Sequence, residues 1–539
     1  MELHLDTCPD GQSQQCQSSS LRQTLAQVLA ATGKSLIMLS IGMLIGFPTV
    51  LIPVLTSKDY KGDLHFNRDQ ASWYGALTYI FQPVGSIASG ALLQSFGCKK
   101  LMILINVPQI GCWLMIYFAT SNFVLYVSSA LVGLVIGLME APTIRYISEI
   151  SHPSLRGILT TYSVLFTSLG FLAVYSLGSL TDWQHVALIS AAVPVICIII
   201  LFQIPETPMW LMSKGRAAEA LESLQWLRGW TTADMVEDEF AKLEYYAKKK
   251  SCKTLHGYGK SVDTKDEVKE TPAENGVDGV SGGGKMSVKP SVSFQVEVGF
   301  EKRGFADKLG DLTCKEMTVP LGKCIVLITL SCFSGLPLIR PYLVAIFAQL
   351  NLPIQPNWTS VLVTFLGIAG NIGCMALVNR VGKKPLVICS SAASAVCLIL
   401  LSIFLMQSTP EAMQDRANPN WWPLILFFVL FFSFNMGLQP LPWVYLSEIL
   451  PYKGRGIATG IAASIFYIVI FFGVKMFSTM ERELGLQGTF LLYAAVCIAG
   501  IFFTYFILPE TEGRFLSDIE TDAEREITVI SNKGNTVNA

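Results

Sequence analysis

Charge is what this chain has least of. Asp, Glu, Lys and Arg make up only 15% of 539 residues while 51% are hydrophobic, too apolar a balance for an ordinary soluble enzyme and one suited to a membrane solvent. The net charge of -1 gives no basic face for nucleic acid. The 13 cysteines form no CxxC pair and fall mostly in apolar runs or in loops expected in the cytosol, which argues against a zinc site and an external disulfide framework. The loops hold no nucleophile and base pairing and no metal cluster, so the expectation is not an enzyme and no cofactor. Residues 1–20 are polar and lack the basic and apolar regions of a cleaved signal peptide, which leaves the first membrane span as the targeting signal.

What the chain does have is apolar runs of about 20 residues, the length a bilayer core demands. Six lie near 35–55, 72–93, 101–120, 122–147, 158–180 and 186–204, and six more near 323–347, 358–378, 385–406, 422–446, 457–480 and 489–508. The expected fold is therefore an all-α membrane protein with twelve transmembrane helices in two six-helix halves. Its domains are a cytosolic N-terminal tail (1–34), a first bundle (35–204), a cytosolic linker (205–321), a second bundle (322–508) and a cytosolic C-terminal tail (509–539). Residues 20–31 place Leu21, Leu25, Val28 and Leu29 on one face, as in a short amphipathic helix lying on the inner membrane surface. In the linker, Ala217, Ala220, Leu221, Leu224 and Leu227 share a helix face, whereas 248–290 loses periodicity and has the composition of a disordered insert.

Lys99, Lys100, Arg156, Lys214, Arg216, Lys383, Lys384, Lys453 and Arg455 all fall in loops of one parity. Those loops and both termini are thus expected in the cytosol. The sequon Asn357-Trp358-Thr359 falls in a loop of the other parity, making Asn357 a candidate glycosylation site.

Several motifs occur twice in register. Tyr146-Ile-Ser-Glu149 with Arg156-Gly157 is echoed by Tyr445-Leu-Ser-Glu448 with Arg455-Gly456, Gly97-Cys98-Lys99-Lys100 by Gly382-Lys383-Lys384, and Pro205-Glu206-Thr207 by Pro509-Glu510-Thr511. Two parallel halves around a midplane site is the build of one large class of secondary transporters. With Pro208-Met209-Trp210-Leu211, Gln225-Trp226-Leu227-Arg228-Gly229, Pro440-Leu441-Pro442-Trp443 and Glu512-Gly513, the chain resembles the sugar porter family of the major facilitator superfamily. Within it, the chain is most similar to the insect facilitated trehalose transporter branch. The resemblance covers about residues 35–519 and implies the major facilitator fold and multi-pass carriage of a sugar across the plasma membrane. The partners it implies are a small solute and the lipid bilayer, with a monomeric carrier.

The resemblance further implies a cytosolic gate in which Glu149, Glu206, Glu448 and Glu510 face Arg156, Arg380, Arg455 and the loop lysines, latching the halves together when the carrier opens outward. This chain departs from the pattern at Gln94 and Asn379, where an acid is usual, and at Cys98 and Met209, where an Arg is usual. A weaker latch and easier inward opening are expected.

In the substrate path, Trp443 matches the aromatic residue beneath the sugar, but the usual amides of spans five and seven are replaced by Val164 and by Ser331 to Pro337. Gln439, Tyr467, Gln82 and Ser331 remain to hydrogen-bond a polyol, and Arg340 stands inside span seven, where it meets an anionic substrate, pairs with Glu140 or reaches water. Glu140 has Arg145 as its other candidate partner, and Lys475 is expected to snorkel outward. Span one reads Leu44-Ile-Gly46-Phe47-Pro48-Thr49, without the acid that proton-driven members carry, so facilitated diffusion is expected. Gly46, Pro48, Gly335, Pro337, Pro440 and Pro442 are candidate points of flexure. A carrier of another, anionic solute and a nutrient receptor that does not translocate stand as alternatives.

Overall fold

Where span ten departs from an α-helix inside the apolar region, another span stands in for the missing partner. The computed structural model describes residues 13–58, 60–151, 156–241, 243–244, 315–408, 419–450 and 455–511. The 248–290 insert and the C-terminal tail past 511 lie outside them. Ten helices are long and apolar enough to cross a membrane, and a bent pair makes an eleventh. One of the ten, Ala458–Ile507, runs 50 residues, about 75 Å at the α-helical rise, and breaks at Gly485, where φ is 70 and ψ 169. A hydrocarbon core is about 30 Å thick, so this helix is two spans and the total is twelve.

Spans one to six are Ser13–Thr56, Arg68–Phe96, Cys98–Tyr117, Asn122–Ile150, Arg156–Leu180 and Trp183–Gln203. Spans eight and nine are Pro356–Val381 and Lys383–Gln407, and eleven and twelve share Arg455–Ile507. The 20–31 segment is not a separate surface helix. It runs without a break into span one, with Ala26, Gln27, Ala30 and Ala31 buried, and its Arg22 backbone packs against Gly229 of the linker.

Span seven breaks where the sequence placed a hinge. Met317–Cys332 and Leu336–Gln349 meet at 50°, with Gly335 at φ +104 and the Tyr493 ring where a Cβ would stand. Span ten deviates differently. Its α-helix Trp421–Ser433 gives way to a π turn over Phe434–Leu438, then resumes at Leu441–Ile449. Pro442 has no N–H for the carbonyl of Leu438, four residues earlier, and the Ser331 hydroxyl of span seven donates to that carbonyl instead. By contrast span one passes through Gly46 and Pro48 without interruption.

Within the first half the spans approach closely because small residues line the contacts. A Cβ on Gly133 or Gly137 of span four would meet the carbonyls of Thr78 or Gln82 of span two, and a Cβ on Gly42 of span one would meet that of Thr167 of span five. The linker helices Pro208–Ser213 and Ala217–Leu227 dock on the same end of the bundle as the duplicated motifs. Trp210, Leu211 and Ala220 form their core, Arg228 grips Glu239 and reaches the Ile150 carbonyl, and Ser223 donates to the Glu206 carbonyl.

The two halves meet near the opposite end. Thr49 Oγ1 of span one donates to the Arg340 carbonyl at 2.7 Å, Ser72 of span two donates to the Lys475 carbonyl, and Ala76 and Tyr79 of span two pack among Leu336, Leu338 and Phe471 of the second half. Lys475 does not simply snorkel, because its Nζ sits 4.4 Å from the Trp73 ring centroid across the seam.

Substituting Gly137→Val should part spans two and four, since the methyls fall on backbone that has no room to move. The yield of monodisperse protein in detergent should collapse, whereas Gly111→Val, where nothing stands within 4 Å, should leave it unchanged.

Candidate functional site: rim clamps and substrate path

At the motif-bearing end each half repeats one device. The carboxylate of Glu206, just past span six, accepts the backbone N–H groups of Cys98 at 3.1 Å and Lys99 at 3.0 Å, the first residues of span three. Glu510, just past span twelve, does the same for Lys383 at 3.2 Å and Lys384 at 2.9 Å, the first residues of span nine. Each also accepts from the following threonine, Thr207 or Thr511, at 3.0 Å. The first N–H groups of a helix have no partner within it, and its dipole favours a negative charge there.

The approach needs glycine at the turn. Gly97 has φ +84 and Gly382 φ +91, and a Cβ at either would stand 2.6 Å or 2.9 Å from the carboxylate. Burial holds the Glu206 carboxyl above the usual carboxylate range, opposed by the N–H groups of Thr207, Lys99 and Cys98.

The second acid of each half completes the cluster unequally. Glu448 Oε2 accepts from Lys383 Nζ at 2.9 Å and from Thr511 Oγ1 at 2.8 Å. In the first half Cys98 stands where Lys383 does, so Glu149 turns to Arg145 of its own helix at 2.6 Å. Its Oε2 is left without a partner, the Thr207 side chain faces the Cys98 thiol, and Lys99 Nζ bonds the Phe202 carbonyl. The pairs described for these acids lie within a half, and the partners expected across the mouth, Arg156 and Arg455, have side chains outside the described residues. Arg380 is exposed and joins no ion pair among the described residues.

Deeper in the bundle the candidate path residues divide. Trp443 is half-buried and packs edge-on against Phe466, centroids 5.2 Å apart, and Phe466 lies 5.4 Å from Tyr467. Gln82 is fully buried with neither amide atom partnered, and Gln439 Oε1 is buried and unpartnered. Ser331 is committed to the span-ten backbone. Arg340 does not pair with Glu140. Its guanidinium lies 3.8 Å from the Phe171 ring centroid of span five, facing the phenols of Tyr175 and Tyr79. Arg145, the other candidate for Glu140, is turned to Glu149.

Glu140 instead faces the Ser86 hydroxyl of span two and the Tyr467 phenol of span eleven. A further bridge between halves escaped the sequence reading, from Asn371 Nδ2 of span eight to Ser168 Oγ of span five at 2.9 Å, with Asn435 Oδ1 at 3.2 Å. A single polar residue in an apolar run was the available signal in each case, and it does not name its partner.

Twelve spans in two related halves, with buried polar groups brought together from both, define a membrane carrier of the major facilitator build. A family model described as sugar (and other) transporter matches residues 26–265 and 293–523, and the chain belongs to that family. It is 28% identical over 498 residues to the facilitated trehalose transporter of Polypedilum vanderplanki, covering 92% of this chain and 87% of the relative. The corresponding protein of Drosophila virilis is 27% identical over 494 residues, but the chain spans only 48% of its length. Among solved structures, a major facilitator superfamily proton:xylose symporter bound to 6-bromo-6-deoxy-D-glucose aligns over 93% of this chain and 99% of its own, with TM-score 0.66 and 16% identity. The chain is thus a member of the sugar (and other) transporter family with the fold of that symporter, and the two relatives named are transporters.

Glu206→Gln and Glu510→Gln should each lower stability by about 2 kcal/mol, since an amide turns a donor toward helix N–H groups that need acceptors. Thermal melts in detergent read this, with Glu219→Gln on an exposed pair as the silent control. Cys98→Lys should supply the cation the first half lacks and raise the melting temperature, whereas Cys98→Ala should not.

Proposed function

We propose that the chain carries a sugar of the trehalose or hexose class across the plasma membrane by alternating access, as a monomer in the bilayer. The motif-bearing end and both termini face the cytosol, in keeping with the basic loops gathered there. Exposed Asn357, at the start of span eight on the opposite side, is the glycan acceptor. The observation that carries the reading is amide atoms left without partners in both halves, both of Gln82 and Oε1 of Gln439, together with the Trp443, Phe466 and Tyr467 aromatic ladder. Burying an unpaired amide costs about 1–3 kcal/mol, a cost that a ligand rich in hydroxyls removes, while an aromatic face suits the apolar side of a pyranose. Gln82, Gln439, Tyr467 and Trp443 are the proposed sugar contacts, with Ser331 supporting them through span ten.

The span-one stretch Leu44 to Thr49 holds no ionisable group, so net flux follows the sugar gradient. A second reading, carriage of an organic anion, rests on Arg340, a cation deep in span seven with no carboxylate partner among the described residues.

Radiolabelled trehalose, glucose, fructose, inositol and organic anions offered to oocytes expressing the chain separate the two. Saturable trehalose or hexose uptake is expected. Trp443→Ala should raise its KM about threefold to tenfold, the worth of one aromatic contact. Uptake confined to organic anions and abolished by Arg340→Gln would transfer the assignment to the second reading.

A further inference from the structure

Midway along span eight, Asn371 is fully buried where that span packs on span five of the other half. Its Nδ2 donates across the seam to Ser168 Oγ at 2.9 Å and within its own half to Asn435 Oδ1 at 3.2 Å. Ser168 and Asn435 are buried as well.

The second-half side of this bridge is fixed in place. Asn435 belongs to the π turn of span ten, and its own Nδ2 donates to the Phe431 carbonyl at 2.8 Å. A Cβ on Gly367, one turn before Asn371, would stand 2.8 Å from that Asn435 nitrogen, and a Cβ on Gly370 would fall on the Phe432 carbonyl. Spans eight and ten thus lie as close as their backbones allow, and the Asn371 amide has no room to follow span five if it withdraws. The Ser168 side has no such tie, since Asn371 is the one hydrogen-bond partner of its hydroxyl among the described residues.

The bridge is also incompletely satisfied. Asn371 Oδ1 is buried without a partner, and an acceptor left dry is a cost that water removes. Separating spans five and eight breaks the bond to Ser168 and relieves that cost on the same side chain. Two opposed contributions on one residue that joins the halves hold them together without locking them, as a two-state equilibrium requires.

We propose that Asn371 and Ser168 form a latch between the halves, closed in the arrangement described here and open when spans five and eight part, so that this pair sets the balance between the carrier's two arrangements. They are positioning residues that act through the seam and not on the solute. This inference rests on the alternating-access reading above and does not require a particular sugar.

The test uses the full chain in lipid nanodiscs, with spin labels on unnatural residues at Phe96 and Val381. These exposed positions end spans two and eight at the motif-bearing rim, one in each half. Pulsed electron spin resonance reads the distance between them. Ser168→Ala should lower the ratio of the latched arrangement to the parted one about twofold to tenfold, the worth of one neutral hydrogen bond. With Asn371→Leu already in place, adding Ser168→Ala should change nothing further, because the bond is already gone. Ser394→Ala, which removes a buried hydroxyl pair with Ser433 inside the second half, should leave the ratio as it is. Should Ser168→Ala fail to fold, Ser168→Cys, whose sulfur is a weak acceptor of similar size, should shift the ratio the same way. An unchanged ratio in the Ser168 variant, or an equal shift with Asn371→Leu already present, overturns the latch alone. A single distance in the wild type and every variant, with each solute of the uptake panel, overturns the alternating-access reading and the latch with it.

Discussion

The interaction on which this architecture depends is the carboxylate cap at the rim of each half. Glu206 and Glu510 reach from the end of one span to the exposed N–H groups that begin another, tying spans that are distant in sequence at the one place where helix ends leave lipid. A helix in a bilayer satisfies its own backbone except at its ends, so the ends are where side chains do the connecting. Gly97 and Gly382 admit the acids, and in the second half Glu448 extends the cap into a small cluster. The linker builds on the first of them, since Ser223 holds the Glu206 carbonyl and Arg228 reaches the end of span four.

Each half is thus fastened internally at its rim, and the contacts described between the halves are of other kinds. Near the opposite end they are apolar and aromatic, with Trp73 against Phe471 and Lys475 over Trp73. In the middle they are polar, with Asn371 to Ser168 and Glu140 to Tyr467. The halves also pack extensively on each other, span two on the helix of spans eleven and twelve and span eight on span five. The irregular backbone of spans seven and ten lies inside the second half, where Tyr493 and Ser331 fill or satisfy what the helices leave open.

The spans were legible because a bilayer leaves a plain record in hydropathy, and the duplicated motifs marked the halves. The hinge at Ser334-Gly335 was legible too, since glycine is the residue that tolerates φ +104. Less legible was the continuity of the first helix, whose amphipathic start looked like a surface helix but packs against the linker through Gly229. The acid–base motifs were visible as acids and bases, but the described partners of the acids include backbone N–H groups of their own half. An acid that can cap a backbone N–H has no need of a distant cation, and no pattern of charged residues reveals a backbone donor.

What the sequence determined by itself is the class of molecule: twelve apolar spans, a repeat that halves them, and a rim of matched acids and bases. Only the tertiary structure decided who stands opposite whom. Glu206 lies against the start of span three, Arg340 over Phe171, and Glu140 beneath a tyrosine from the other half. The reason is that hydropathy and motif spacing act along one helix at a time. Facing residues are set by how closely two helices approach, which here turns on glycines such as Gly133 and Gly137 and the carbonyls they admit.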